Sequence, residues 1–452
     1  MHTYHSDTIV AIATATGQGS VGIVRLSGPE AQTIGQKMTQ TTLQPRFAHF
    51  ADFYDHLGNV IDQGISLFFK APHSFTGENV VELQAHGGPI IVNLLLQEAV
   101  HLGARIAQPG EFSQRAFLND KIDLAQAEAI SDLINAHSES AAKGAIHSLQ
   151  GHFSQHIHQL LQALIELRMH IEATIDFPEE EIDFLADAAL QQRFSHVATQ
   201  LENTVAQTQQ GVLLQSGINV VIAGKPNAGK SSLLNALSGS DSAIVTDIEG
   251  TTRDTLKETI QIQGIPFHII DTAGLRYSND IVETEGIKRA LNEIKKADHL
   301  LVIADVRDTE TAPIEQVASE FLQQIPDTLP RTYIHNKIDL LPSKPTKNNQ
   351  SNHLYISAKT GHGLSELTDY LLQAIGYQQN TESTFTARKR HIDALKRTQT
   401  CFEIAKEHLA NKDGELVAEE LYQAQQALGE ITGNFSADDL LGEIFSQFCI
   451  GK

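Results

Sequence analysis

The feature that most constrains this chain is the segment Gly-Lys-Pro-Asn-Ala-Gly-Lys-Ser at positions 224–231. It follows the apolar residues 220–222 and precedes the run Ser-Leu-Leu-Asn-Ala-Leu, which is typical of a helix. A glycine-rich loop between a strand and a helix is the P-loop arrangement, in which backbone N–H groups surround phosphates. We therefore predict an α/β domain that binds nucleotide phosphates at this loop.

Individual residues of the loop have separate expected roles. Gly224 and Gly229 let the backbone curl around the phosphates, and Lys230 reaches the β- and γ-phosphates. Ser231 offers its hydroxyl to Mg²⁺. The predicted nucleotide contacts of this segment are Asn227, Ala228, Gly229, Lys230, Ser231 and Ser232.

A second phosphate-side motif, Asp-Thr-Ala-Gly, follows the apolar strand Pro-Phe-His-Ile-Ile. Asp271 is expected to hold Mg²⁺ through water, and the Gly274 N–H is expected to bond the γ-phosphate. The complete motif is Asp271, Thr272, Ala273 and Gly274.

Guanine selectivity is predicted at Asn336-Lys337-Ile338-Asp339, which ends another apolar strand. The Asp339 carboxylate can accept from guanine N1–H and N2–H₂, two donors that adenine does not present together. Further along, Ser357, Ala358 and Lys359 are expected to close over the base. These motifs, in this order, predict a GTPase.

Residues 246–254, Thr-Asp-Ile-Glu-Gly-Thr-Thr-Arg-Asp, lie where a segment that senses the γ-phosphate is expected. Thr252 is the preferred second hydroxyl ligand of Mg²⁺, and Thr251 is the alternative that the sequence leaves open.

The order of strands and helices predicts several domains. Residues 1–118 mix short strands with Gly and Pro, as an α+β domain does, and residues 119–213 have helical spacing. Residues 214–377 alternate strands and helices, which predicts a Ras-like, mainly parallel sheet. Residues 378–452 are again helical. We therefore predict a multidomain α/β and α protein in which the GTPase domain is inserted into a helical domain.

Charge and composition limit the partners of this chain. Its formal net charge of −22 disfavours binding to nucleic acid through a general positive field. There is no run of 18 apolar residues and no basic, then apolar, leader, and only two cysteines occur, so we expect a cytoplasmic protein. The densest basic cluster consists of Arg388, Lys389, Arg390, Lys396 and Arg397. The simpler interpretation of this cluster is a solvated helix face.

The motifs GKPNAGKS, GTTRD, DTAGLR and NKID together resemble the TrmE–Era–EngA group of GTPases. The segments FTGENVVELQAHGGP (75–89) and PGEFSQRAFLNDKIDLAQAEA (109–129) and the terminal CIGK narrow the resemblance to the MnmE (TrmE) family. The resemblance covers essentially the full length, whereas the wider group shares only the GTPase portion.

The resemblance implies a particular way of hydrolysing GTP. Leu275 stands where Ras-like enzymes have a glutamine that orients water. The family instead implies K⁺, with Asn227, Thr246, Ile248 and Thr251 as its ligands. It also implies that Glu283 positions the water; from the sequence alone, Asp280 and Glu285 compete for this role.

The N-terminal segment is similar to tetrahydrofolate-binding domains of the glycine-cleavage T-protein type. The positions that match folate contacts are Arg25, Glu82, Lys121 and Lys452. Read from the sequence alone, Arg25 is an edge-strand charge, Glu82 a half-buried strand residue and Lys121 a residue at a helix start. The resemblance implies a 5,10-methylene or 5-formyl tetrahydrofolate derivative as cofactor.

The family's activity is modification of the tRNA wobble uridine at C5, together with the flavoprotein MnmG, which carries FAD and NADH. The resemblance also implies a homodimer through the N-terminal domain and contact between two GTPase domains during hydrolysis. Cys449 is either a packed apolar residue or, because of its place beside Lys452, a thiol used in tRNA modification. The alternatives are a ribosome-assembly GTPase and a regulatory GTPase without tRNA chemistry.

Overall fold

A computed structural model describes residues 7–176, 188–238, 257–271, 297–323, 325–342, 352–377, 385–434, 438–446, 448 and 451. The chain divides into two compact units. The first comprises Met1–Ser131, Leu149–Phe194 and Arg397–Lys452, and the second comprises Asp132–Ser148 and Ser195–Lys396. The predicted multidomain α/β and α fold is confirmed; the predicted domain boundaries stay predictions.

The first unit contains a six-stranded sheet near the N-terminus. Its strands are β1 (Ile9–Ile12), β2 (Val21–Ser27), β3 (His49–Tyr54), β4 (Val60–Phe69), β5 (Val80–His86) and β6 (Arg105–Ile106), in the order β3-β4-β5-β2-β1-β6. All neighbours are antiparallel except β1 and β6. Helices α1 (Ala31–Thr39) and α2 (Pro89–His101) supply Ile34, Met38 and Leu95 to a core with Val24 and Leu83 of the sheet.

Strand β2 is an interior strand, since it lies between β1 and β5. The interpretation of Arg25 as an edge-strand charge is therefore wrong. Arg25 is the register partner of Glu82 on β5, so the two side chains point to the same face of the sheet.

Within the described ranges 107–176 and 188–216, the helices after the N-terminal sheet are α3 (Glu111–Leu118), α4 (Leu124–Ile134), α5 (Glu139–Leu149), α6 (His152–Asp176) and α7 (Ala188–Ser216). Lys121 lies between α3 and α4, three positions before α4 begins, rather than at the start of a helix.

The second unit contains the other six-stranded sheet. Its strands are β7 (Ile218–Ala223), β8 (Lys257–Ile262), β9 (Ile265–Asp271), β10 (His299–Asp305), β11 (Arg331–Asn336) and β12 (His353–Tyr355), in the order β12-β11-β10-β7-β9-β8. All neighbours are parallel except β8 and β9, so the predicted mainly parallel sheet is confirmed.

Both faces of this sheet are covered, as its continuous apolar strands require. Helices α8 (Lys230–Ser238) and α9 (Leu364–Ala374) pack Leu233 and Leu367 against Val220 and Ile334 on one face. On the other face, short helical turns at Ile314–Val317 and Ser319–Leu322 follow β10. The carboxyl ends of β7 and β10 open onto the crevice in which open α/β sheets bind ligands.

In the described part of the chain after residue 377, the helices are α10 (Lys389–Ala410), α11 (Gly414–Gly429) and α12 (Asp438–Ser446). Within the first unit, α11 packs along α6. Phe445 of α12 and the nearby Phe448 pack with Leu124 and Ala127 of α4. Among the described residues, no helix combines the length and apolar character needed to cross a membrane.

Candidate functional site

The glycine-rich loop occupies the predicted place between a strand and a helix, since β7 ends at Ala223 and α8 begins at Lys230. Two positions in the loop must be glycine because atoms of neighbouring strands approach them closely. A Cβ on Gly224 would lie 2.2 Å from the carbonyl oxygen of Ile303 on β10. Gly229 has a φ of +100°, and a Cβ there would lie 2.2 Å from Asn336 Nδ2. The requirement for these glycines is therefore steric as well as conformational.

Lys230 lies against the loop that precedes it. Its Nζ donates to the carbonyl oxygens of Gly224 at 3.0 Å and Lys225 at 3.4 Å. Ser231 and Ser232 follow in the first turn of α8, where the helix N-terminus favours an anion.

Asn336 connects the loop to the guanine-side motifs. Its side chain is buried, and Nδ2 donates to the carbonyl oxygen of Ala228 at 2.9 Å. Its Oδ1 accepts from the backbone N–H of Lys337 at 2.8 Å and of Ala358 at 3.1 Å. The Asn336 amide therefore holds together three segments, at Ala228, Lys337 and Ala358, that were identified as separate parts of the sequence.

Lys337 adds a second connection to the loop. Its backbone is left-handed with a φ of +69°, and its Nζ donates to the carbonyl oxygen of Asn227 at 2.6 Å. The same Nζ is 2.9 Å from Asp305 Oδ2. Asn227 is also left-handed, with a φ of +63°, a conformation that asparagine tolerates better than most residues.

Asp305 and Arg307 were not recognised from the sequence. Arg307 donates to the Asp305 carboxylate through Nε at 3.0 Å and Nη2 at 2.7 Å. The hydrogen bonds from Arg307, and next that from Lys337, hold the pKa of Asp305 well below its usual range, although desolvation by burial acts in the opposite direction. The sequence signal that could have identified Asp305 is an acidic residue at the end of a strand. This strand is β10, and all seven of its residues are buried.

Asp339, where the sequence predicts recognition of the base, is joined by a hydrogen bond to the loop that follows β12. Ser357 Oγ donates to Asp339 Oδ1 at 2.5 Å, and Ser357 Oγ accepts from the Thr360 N–H at 3.2 Å. An open hollow of about 520 Å³ adjoins this carboxylate; its described lining residues are Ile338, Asp339, Thr360, Gly361 and His362. Lys359 is exposed next to this loop.

Several predicted site residues lie wholly or partly outside the described part of the chain. Asp271 ends β9 and is the register partner of Ile222 on β7, so its backbone lies beside the strand that leads into the loop. Its side chain lies outside the described part. The predicted residues outside the described ranges are Thr246, Ile248, Thr251, Thr252, Thr272, Ala273, Gly274, Glu283, Cys449 and Lys452.

A second candidate site lies on the N-terminal sheet. Arg25 Nε donates to Glu82 Oε1 at 2.8 Å, and the two side chains are 20% and 14% exposed. Arg25 Nη1 donates to the carbonyl oxygen of Gly451 at 3.2 Å, and its guanidinium lies 5.9 Å from the centre of the buried Phe112 ring. The structure thus brings together Arg25, Glu82 and the C-terminal tail.

Lys121, the remaining predicted folate contact with a described position, has a different neighbour. Its Nζ donates to the carbonyl oxygen of Pro72 at 3.1 Å, and a Cβ on Gly77 would lie 3.4 Å from its aliphatic stem. It therefore borders the loop that joins β4 to β5.

An ion network around α3, in which Arg115 and Glu111 are buried and Arg105 and Asp7 are partly exposed, was also missed from the sequence. Arg115 donates to Asp7 Oδ1 at 2.8 Å and to Glu111 Oε1 at 3.0 Å, and Arg105 donates to Glu111 at 2.6 Å. Burial opposes the charge of Arg115, but Glu78 and Glu111 outweigh it and raise the pKa of Arg115. Because these groups satisfy one another, we assign the network to holding α3 against the sheet.

The basic cluster at the start of α10 is partly used in ion pairs. Arg388 Nη2 lies 2.7 Å from Asp132 Oδ1, and Arg397 Nη2 lies 2.5 Å from Glu430 Oε2. The charges of Arg388 and Arg397 are therefore compensated by carboxylates, which weakens the cluster as a surface for RNA.

Sequence comparisons cover almost the whole chain. A family model described as "GTP-binding protein TrmE N-terminus" matches residues 8–121, and one described as "MnmE helical domain" matches residues 124–449. The tRNA modification GTPase MnmE of Francisella tularensis subsp. holarctica is 53% identical over 99% of this chain and 100% of its own length. That of Francisella philomiragia is 52% identical over the same shares.

Solved structures match over smaller parts of the chain. The G-domain of FeoB from Methanococcus jannaschii covers 35% of this chain and 98% of its own, with 21% identity and a TM-score of 0.26. Era from Aquifex aeolicus bound to GDP and AlF4⁻ covers 41% of this chain and 66% of its own, with 24% identity and a TM-score of 0.27.

Proposed function

Because this chain belongs to the MnmE family of tRNA modification GTPases, we propose that it is a K⁺-activated GTP hydrolase that modifies the wobble uridine of tRNA at C5. In this proposal it works in the cytoplasm with the flavoprotein MnmG, which carries FAD and NADH. A tetrahydrofolate derivative supplies the one-carbon unit of an aminomethyl or carboxymethylaminomethyl group. The protein is a homodimer through its N-terminal domain, and its GTPase domains meet during hydrolysis.

The observation that carries the nucleotide part of this proposal is the position of Asn336. Its buried amide bonds both the carbonyl oxygen of Ala228 in the phosphate loop and the N–H of Ala358 beside the base-side hollow. A ligand that spans both places has phosphates at one end and a base at the other. Asp339, oriented by Ser357, supplies the carboxylate that distinguishes guanine.

The chain supplies the groups that hold the nucleotide and its metal ions. Ser231 follows Lys230 at the helix N-terminus, and Asp271 ends a strand that pairs with β7, so both belong to the same edge of the sheet. A hydroxyl and a carboxylate are oxygen ligands of the kind that Mg²⁺ prefers. Lys230 binds the β- and γ-phosphates, and Thr252, or else Thr251, offers a second hydroxyl.

Water attack is assisted by Glu283, by residues of the segment 246–254 and by Asn227 of the loop. Glu283 orients the attacking water, since Leu275 offers no hydrogen-bonding group. Asn227, with Thr246, Ile248 and Thr251, offers amide, hydroxyl and backbone oxygens to K⁺. When bound, the cations neutralise the charge that develops on the phosphates during hydrolysis.

The N-terminal site fits a folate in its chemistry. The Arg25–Glu82 pair combines a donor-rich cation with a carboxylate, and both groups remain partly exposed. A carboxylate suits the N–H donors of a pterin, and cations suit the glutamate tail of folate. Lys121 and Lys452 would add positive charge.

Nucleotide selectivity tests the proposal directly. In the Asp339→Asn variant the amide N–H₂ replaces one acceptor, so affinity for GTP should fall by about 2 to 4 kcal/mol, while xanthosine triphosphate, which has a carbonyl in place of the guanine amine, should gain affinity. Titration of the purified full chain with both fluorescent nucleotides measures this exchange. Unchanged GTP affinity in the variant would contradict the assignment of Asp339.

A further inference from the structure

Lys337 links the phosphate loop to Asp305, an aspartate that belongs to none of the sequence motifs. The Lys337 ammonium group donates to the carbonyl oxygen of Asn227 at 2.6 Å and lies 2.9 Å from Asp305 Oδ2. Its aliphatic stem lies over the loop, since a Cβ on Gly229 would be 3.9 Å from Lys337 Cε. All four residues belong to the second unit. The conformation of the loop at Asn227 therefore depends on where Lys337 places its charge.

Asn227 and Lys337 both have a left-handed backbone, which residues with a Cβ adopt at an energetic cost. Their φ values are +63° and +69°. Such conformations persist where the surrounding contacts hold them. The Lys337 backbone is held by the side chain of Asn336, whose Oδ1 accepts from the Lys337 N–H at 2.8 Å. For Asn227, a corresponding contact is the hydrogen bond that its carbonyl oxygen accepts from Lys337 Nζ.

The two oxygens of the Asp305 carboxylate have different contacts. Oδ1 caps the helical turn Val306–Thr309, because it accepts from the Arg307 N–H at 3.1 Å and also from Arg307 Nε at 3.0 Å. Oδ2 accepts from Arg307 Nη2 at 2.7 Å and faces Lys337 Nζ. The side chains of Asp305 and Lys337 are 10% and 28% exposed, so water screens their attraction less than that of a surface pair. Arg307 therefore orients the carboxylate, and Oδ2 in turn orients the ammonium group.

We propose that Asp305 is a positioning residue for nucleotide binding: its Oδ2 holds the Lys337 ammonium group against the Asn227 carbonyl and so keeps the phosphate loop in the bent form that surrounds phosphates. The inference rests on the proposed nucleotide site at this loop. A loop that is held in this form loses less conformational entropy when phosphates bind, which is the benefit of preorganisation. Loss of the contact should therefore weaken nucleotide binding and leave the chemistry of the bound state unchanged.

The variant Asp305→Asn tests the role of Oδ2. Asparagine caps a helical turn as well as aspartate does, but its amide N–H₂ replaces one acceptor and repels the ammonium group. Titration of the full chain with N-methylanthraniloyl-GDP should give a dissociation constant about fivefold or more above that of the parent. The matched control is Asp298→Asn, at the opposite end of β10, where the carboxylate accepts from the Asn219 N–H at 2.8 Å. This control should change the dissociation constant by about twofold or less.

A second background separates positioning through Lys337 from a general loss of stability. Lys337→Met keeps an aliphatic stem and removes the ammonium group. When Asp305→Asn is added to Lys337→Met, it should change the dissociation constant by about twofold or less, because the contact that it breaks is already absent. Damage to the fold would instead lower the affinity in both backgrounds.

Steady-state kinetics give an independent readout. In Asp305→Asn the loss should appear in KM for GTP, and kcat should stay within about twofold of the parent, since a bound nucleotide orders the loop in the ground state and the transition state alike. Thermal unfolding midpoints verify that each variant is folded. If Asp305→Asn does not fold, Asp305→Ser tests the same step, because serine also caps a helical turn and has no second oxygen.

Equal affinity of Asp305→Asn and the parent for the labelled GDP would overturn the inference and leave the proposed nucleotide site standing. An equal loss in the parent and Lys337→Met backgrounds would overturn it as well, since Asp305 would then act through the stability of the fold. Failure of the proposed nucleotide site is a separate result: the parent itself would not bind the labelled GDP, and the inference would fall with the site.

Discussion

Asn336 illustrates at the scale of one residue why its type cannot be exchanged. An asparagine side chain offers one acceptor and two donor hydrogens, and here the acceptor serves two backbone N–H groups while the amide serves Ala228. An aspartate would present an acceptor to the Ala228 carbonyl and repel it. A leucine would leave all three backbone groups unpaired in a buried place, at a cost of about 1–3 kcal/mol for each.

His335, the residue before Asn336, predicts a pH dependence of stability. It is 6% exposed, its Nδ1 is 2.9 Å from Thr309 Oγ1, and its Nε2 is 3.2 Å from His353 Nδ1. Burial, and next the neighbouring His353, lower the pKa of His335 to about 4. Glu315, which faces His353 at 3.9 Å, acts in the opposite direction.

The sign follows from proton binding. Between pH values of about 4 and about 6.5 the unfolded state binds more protons at this position than the folded state, so the free energy of unfolding falls as the pH falls. Going from about pH 7.5 to about pH 5 should remove about 2 kcal/mol. Calorimetry of the full chain should show a smaller pH effect for His335→Gln and an unchanged one for His196→Gln, whose histidine is exposed on α7. Equal pH effects in His335→Gln and the parent would contradict this assignment.

At the scale of elements, the β8–β9 hairpin is joined to the start of α5. Ser138 Oγ accepts from the Ala141 N–H at 3.0 Å and donates to the carbonyl oxygen of Gly264 in the hairpin turn at 2.6 Å. Gln261 of β8 also donates to the carbonyl oxygen of His137. Because β8 begins after the predicted switch segment 246–254 and β9 ends at Asp271, this hairpin connects two parts of the proposed nucleotide site.

Removing the hydroxyl of Ser138 should therefore cost stability in two ways. Ser138→Ala removes the cap of α5 and leaves the Gly264 carbonyl without its donor, so the free energy of unfolding should fall by about 1–3 kcal/mol. Ser365→Ala, an exposed serine on α9 in the same unit, should change it by about 0.5 kcal/mol or less. Urea unfolding of both variants measures the difference, and equal midpoints would mean that the contact contributes no net stability.

At the scale of the whole molecule, the proposal requires a monovalent cation between GTPase domains. Turnover should be about tenfold or more faster in KCl than in NaCl at equal ionic strength, since Na⁺ is too small to span ligands set for K⁺. Asn227→Gly should remove most of this difference: glycine keeps the left-handed backbone that alanine would strain and removes only the amide. Equal turnover of the parent in both salts would rule out activation by K⁺.

The overall charge also belongs to this scale. With a formal net charge of −22, the chain does not attract tRNA through a long-range positive field, and two arginines of its densest basic cluster are paired with carboxylates. Binding of tRNA at moderate salt therefore depends on local contacts or on charge supplied by MnmG in the proposed complex.

The sequence by itself determined the phosphate loop, the guanine motif and the mainly parallel sheet around them. Each of these depends on neighbouring residues: a run of apolar residues forms a buried strand, and glycine at a fixed offset permits a turn. The position of each motif at a strand end followed from the same local rules, as Asn336 at the end of β11 illustrates.

Only the tertiary structure decided which distant residues meet. Arg25 and Gly451 are 426 positions apart, and Asp305 ends β10 whereas Lys337 follows β11. Whether β2 is an edge or an interior strand depends on the order of strands in the sheet, and no local pattern within residues 21–27 encodes that order. Side-chain contacts between distant segments depend on how the complete chain buries its apolar surface, which is a property of all residues together.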